Sequence, residues 1–109
     1  MDWEQEFIGL CLQLQRKEDY GDKLKRRKHN AAMDKLQKLE KKMENPSPSL
    51  EKLLDHEDSR VRNQAASVCI TMGLLPEKTV QTLRDVIVNE KDTTLKMSAA
   101  MLLKQCMED

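Results

Sequence analysis

The residues best suited to chemistry are few. They are two histidines, His29 and His56, three cysteines, Cys11, Cys69 and Cys106, and a cationic run, "KLKRRKH", from Lys23 to His29. Acid–base or metal chemistry requires such groups to converge on one point. The histidines fall in different helical or turn segments, with no cysteine or carboxylate at a ligand spacing from either. "HED" over His56–Asp58 sets three potential ligands side by side, but adjacent residues on a helix point in different directions. There is no glycine-rich phosphate loop, no G-x-S-x-G and no H-E-x-x-H. The 19 carboxylates read as solvated helix faces. The expectation is a protein that is not an enzyme, without catalytic residues, metal or cofactor.

The cysteines are odd in number, far apart and free of C-x-x-C spacing, which argues against a disulfide framework or zinc site. Each lies in an apolar helical pattern, as buried reduced thiols of a cytosolic protein do. The basic run carries five positive charges in the six residues Lys23–Lys28, enough for several phosphate contacts. A run that long also encircles its helix, and "DKLQKLEKKMEN" soon restores acids. A solvated face is the first reading, and a nucleic-acid contact is the alternative.

Composition narrows the class. The chain has 109 residues, 39% hydrophobic and 35% charged, with 19 basic against 19 acidic side chains. That balance excludes a strongly basic nucleic-acid binder and intrinsic disorder, and the length suits one domain, 1–109. Three glycines and three prolines leave room for long helices, and with only Trp3, Phe7 and Tyr20 aromatic, the core must be aliphatic, alanine and methionine. "MDWEQEF" opens with acids and lacks a signal-peptide pattern, and no apolar run reaches the roughly 18 residues of a membrane span. A cytoplasmic location is expected.

Helical periodicity runs nearly end to end. A first helix is expected over "DWEQEFIGLCLQLQRK", with Trp3, Phe7, Leu10, Cys11 and Leu14 on one face. Over residues 3–14 its polar residues are Glu and Gln rather than Lys, so packing in the fold is preferred to binding a membrane surface. Gly21 breaks the chain, with Asp19 or Asp22 as cap, before a polar second helix over 22–44. "NPSPS" is the clearest boundary, with Ser47 as N-cap and Pro48 in the first turn of "SLEKLLDHE". Asp58 or Ser59 caps "RVRNQAASVCITM", and Gly73 ends it. Pro76 starts "EKTVQTLRDVIVNE", and Asp92 with two threonines caps "LKMSAAMLLKQCM". Only "DVIVN" offers a strand, so the class is all-α.

One motif recurs. Lys28, Arg62 and Lys96 each precede an alanine pair by three and four residues: Ala31–Ala32, Ala65–Ala66 and Ala99–Ala100. Successive copies are 34 residues apart, the mark of a helical repeat. Leu50, Leu53 and Leu54 match Leu83, Val86 and Ile87 at a spacing of 33. The first copy is weakest, with Arg27 where the others have Val61 and Leu95. On a helical wheel Val61, Ala65, Val68 and Met72 face the preceding helix, while Ala66, Cys69 and Ile70 widen the arc sideways. Arg62 lies within it, its stem over the alanines and its head reaching a polar group. Ala66 and Ala100 are expected at helix–helix contacts. Positions at about 200° and 240° point away from the first helix of each unit. They are His29 and Met33, Asn63 and Ser67, Met97 and Met101, and they form the expected partner-binding surface. The two methionines are read either as an adaptable apolar patch or as covered by the N-terminal helix or a second copy of the chain.

"LLDHEDSRVRNQAASVCITMG" resembles a HEAT-type repeat: a leucine-rich helix, an acidic turn, V-R-x-x-A-A and a closing glycine. The likeness is specific over 50–73, fair over 83–106, where Thr94-Leu95-Lys96 departs from V-R, and poor before 45. The whole chain is similar to a small bacterial family of HEAT-like single domains of unknown function, through its length, its polar second helix and "SAAMLLKQ". The resemblance implies a short right-handed α-solenoid of about three antiparallel helix pairs, HEAT- or ARM-like, in units of approximately 1–45, 47–73 and 76–109. It also implies a structural ladder between stacked repeats, in which Asp58 and Arg62 would pair. The expected role is a non-enzymatic protein-binding adaptor or inhibitor, such as the immunity partner of a toxin, by fold analogy alone. A nucleic-acid-binding module using the basic second helix is the alternative, and a homodimer is a further form.

Overall fold

The computed structural model describes residues 3–107, and among these the fold is all-helical, with six α-helices and one short 3-10 turn. "DVIVN" is helical, so the one candidate strand is absent among the described residues. The chain divides into two compact units that meet at Asn45 and Pro46, the boundary that "NPSPS" marks.

The first unit pairs α1 (Trp3–Cys11) with α2 (Lys23–Glu40), separated by the 3-10 turn Lys17–Asp19. Phe7, Leu10, Cys11 and Leu14 are buried, as are Ala32, Leu36 and Leu39 of α2. Trp3 meets Phe7 one turn away edge to face, their ring centroids 5.8 Å apart. The first helix is shorter than the expected span; Asp2, where that span begins, lies outside the described residues. Beyond Cys11 the bonds tighten to Gln13 N–H on Leu10 C=O and Leu14 N–H on Cys11 C=O. The Gln15 amide then leaves the ladder and donates to His29 Nδ1 at 3.0 Å. A tertiary bond replaces the next helical one, a choice that local propensity does not reveal. Asp22 caps α2, its Oδ1 accepting from the Leu24 and Lys25 amides.

The second unit holds α3 (Ser47–Leu53), α4 (Ser59–Met72), α5 (Pro76–Asn89) and α6 (Thr93–Met107). α4 packs against α3, α5 and α6, and α5 against α6. Its central place explains its burial: Val61, Ala65, Ala66, Val68 and Cys69 are all 0–1% exposed. Leu50, Leu53, Leu54, Leu83 and Val86 supply the aliphatic layer from α3 and α5. Pro46, not Ser47, takes the N-cap position of α3, and no side chain caps it. Asp58 caps α4 through the Arg60 amide, and Gly73 closes it at φ 70°, with Leu74 N–H reaching back to Cys69 C=O at 2.8 Å. Pro76 opens α5 behind Leu75, which sits in the left-handed region at φ 46°. Asp92 caps α6 through Thr94 and Leu95.

Candidate functional site

Asn63 is where the expected surface departs most from the structure. It is buried, 6% exposed, and its Nδ2 donates to Leu95 C=O of α6 at 3.1 Å. Its Oδ1 is buried without a partner. Asn63 therefore belongs to the contact between α4 and α6 and not to an open surface. On a wheel drawn from one helix, a position opposite the preceding helix looks free. In the second unit the next helix covers it. Ser67, one turn on, is half-buried.

Advancing one 34-residue period turns Asn63 into Met97, Ala66 into Ala100 and Ser67 into Met101. On α6 all three are exposed, the methionines at 66% and 69%. Ala100 thus does not lie at a helix–helix contact, contrary to the expectation. Only Leu95 and Ala99 of α6, the counterparts of Val61 and Ala65, are buried. α4 packs against three helices, α3, α5 and α6, whereas α6 packs against two, α4 and α5. Met72, expected to face the preceding helix, is 37% exposed near the end of α4.

His29 and Met33 belong to the first unit, and both are half-buried. The His29 Nδ1 is occupied by the Gln15 amide, and burial holds the imidazole below its ordinary pKa. His56 is used in a similar way, its Nδ1 accepting the Asp58 amide at 3.0 Å. Both histidines thus shape backbone turns.

The expected pairing of Asp58 with Arg62 does not form between their side chains. The Asp58 carboxylate is turned to its own helix start and to the guanidinium of Arg60, at 2.9 Å. Arg62 projects towards α5, its Nη1 donating to Asp85 Oδ2 at 2.9 Å and its Nη2 to Ser59 Oγ at 2.7 Å. Ser59 in turn donates to Glu90 Oε1 at 2.6 Å, and that bond is the leading cause holding the Glu90 carboxyl below its usual range. Arg62 therefore ties α4 to α5, as a structural residue should, through an acid 23 positions downstream. That separation corresponds to no fixed spacing on one helix, so no sequence motif announces Asp85. Because Asp85 is 52% exposed, the ion pair is worth under about 1 kcal/mol.

Arg62 and Asp85 also line a polar cleft of about 520 Å³ with Leu54, Asp55, Lys78 and Thr82. Lys78 meets Asp55 at 2.6 Å, so both cations are already matched by carboxylates. A second recess, about 290 Å³, is lined by Cys69, Thr79 and Cys106. Burial raises both thiols, which disfavours the nucleophilic thiolate. The Thr79 hydroxyl lies near enough to temper the rise at Cys69, although it makes no hydrogen bond of ordinary geometry. Cys11 and Cys69 are buried, whereas Cys106 is only half-buried. Among the described residues no three histidine, cysteine or acidic side chains are grouped to hold a metal ion. Nor is any helix among them long and apolar enough to cross a membrane. No family model, curated protein or solved structure matches the chain.

Proposed function

We propose that the chain is a non-enzymatic, protein-binding helical-repeat module of the HEAT-like kind, acting as an adaptor or inhibitor. The 34-residue period, the V-R-x-x-A-A motif and the closing Gly73 support a short right-handed solenoid of antiparallel pairs. One observation carries the binding surface. The face through which α4 takes α6 recurs one period later on α6, where Met97, Ala100 and Met101 are exposed. A surface built like a helix–helix contact, with two flexible thioethers beside a small residue, suits the apolar stripe of a partner helix.

The double variant Met97→Glu, Met101→Glu tests this reading. Both side chains are exposed, so the unfolding free energy from urea titration should change by less than about 0.5 kcal/mol per site. Affinity capture with the wild-type chain should retain a protein that the variant loses. Identical capture by both chains would move the surface elsewhere, and unfolding of the variant would show the methionines to be covered. A wild-type dimer that becomes a monomer in sedimentation of the variant would make the occupant a second copy.

A further inference from the structure

Charge in the first unit is sharply segregated. Lys23–Lys42 holds nine lysines and arginines against two carboxylates, Asp34 and Glu40, while residues 2–22 hold six acids against Arg16 and Lys17. Every side chain from Lys23 to Lys28 is exposed. Lys25 is bound to Asp19 at 2.7 Å. Among the described residues Arg27, Lys28, Lys35 and Lys38 have no ion-pair partner.

The run Lys23–Lys28 encircles α2, but two of its cations, Arg27 and Lys28, line up with Lys35 and Lys38 further along. Ala32, Leu36 and Leu39 fix the buried direction. At about 100° per residue, Leu24, Arg27, Lys28, Ala31, Lys35 and Lys38 then fall within one arc of about 100° on a single flank of the helix, beside the buried side. All six are exposed, and Asp34 lies at the margin of the arc. The stripe extends over about 21 Å of helix. Cations in the first turns oppose the helix dipole, so helix stability does not account for them. At the same end, Tyr20 and Leu24 are 61% and 62% exposed, and Tyr20 is two residues from the Asp22 cap.

We propose that this stripe of α2 binds the phosphate backbone of single-stranded nucleic acid, with Tyr20 offering a stacking surface for a base. Aligned cations supply affinity for a polyanion, and an exposed aromatic at the same end of the helix is the element that a strand with unpaired bases uses. A duplex leaves Tyr20 without a stacking partner, and an acidic peptide has no base to place on it. An interfacial membrane helix needs a broad apolar face, whereas this stripe offers only Leu24 and Ala31. The surface lies in the first unit and is independent of the methionine face proposed for partner proteins.

Fluorescence anisotropy of a labelled oligothymidine of about 20 nucleotides tests the assignment. Four phosphate contacts predict a slope of roughly −3 for log affinity against log salt, or about 50-fold weaker binding at about 200 mM than at about 50 mM. Replacing Arg27, Lys28, Lys35 and Lys38 together with Gln should abolish binding. The helical circular dichroism should stay intact, since all four are exposed and glutamine is a good helix former. Tyr20→Ala keeps every cation and should weaken binding about 10-fold without changing the slope. Absence of binding at low salt would overturn the proposal. So would a duplex of equal length bound as tightly with Tyr20→Ala silent, or a polyglutamate that competes equally.

Discussion

Ala66 and Ala100 hold the same place in successive copies of the motif, yet the first is fully buried and the second exposed. Their substitution by leucine should therefore diverge. Ala66→Leu overpacks a filled contact and should cost about 1–3 kcal/mol, whereas Ala100→Leu should change stability by less than about 0.5 kcal/mol. Urea unfolding of the two variants decides this, and equal costs would place both alanines in the same environment. The motif was legible as spacing, because it lies in residue types alone. Its burial was not, because exposure depends on how many neighbours each copy has. Asn63 shows the same limit, since its polarity suggests solvent while its amide serves the Leu95 carbonyl. Arg62 was legible as a cation within an apolar arc, but its partner Asp85 lies on another helix.

Boundaries of elements were most legible where the backbone itself requires a residue type. Gly73, Pro76, Asp22 and Asp92 all do what their chemistry suggests: a left-handed stop, a preformed first turn and two carboxylate caps. Gly73 offers the cleanest test. A Cβ added there meets nothing within 4 Å, so any penalty arises from φ 70° alone. Gly73→Ala should cost about 1 kcal/mol of unfolding free energy, read from urea titration. A neutral result would mean that α4 can end without its left-handed residue. Boundaries set by tertiary contacts were not legible in the same way. The end of α1 is one such boundary, where His29 captures the Gln15 amide, whereas His56 takes the Asp58 amide within a local turn ahead of α4. Histidine in a sequence suggests proton or metal chemistry, while here both rings act as backbone acceptors.

For the whole molecule, acid should be destabilising. The His29 imidazole is held below its ordinary pKa by burial, so in that range the unfolded chain binds more protons than the folded one. Its effect begins as pH falls below about 6.5 and levels off once the folded value is passed. Glu90, lowered chiefly by the Ser59 hydroxyl, contributes stability at neutral pH that is lost as pH falls through the ordinary glutamate range and then its folded value. Urea midpoints should therefore decline on acidification from neutral pH, and His29→Gln should flatten the upper part of the decline. An unchanged slope in that variant would remove His29 from the account. At this scale the all-helical class and the break at Asn45–Pro46 were legible, since helical periodicity is continuous and "NPSPS" interrupts it. The methionine face of α6 has a last consequence, which concerns how such a chain lengthens. A duplicated segment of one period would arrive carrying, as the counterparts of Val61 and Ala65, the same apolar side that Leu95 and Ala99 already present. Such a segment would meet Met97 where the present α6 meets Asn63, so the amide bond to the Leu95 carbonyl would give way to thioether packing.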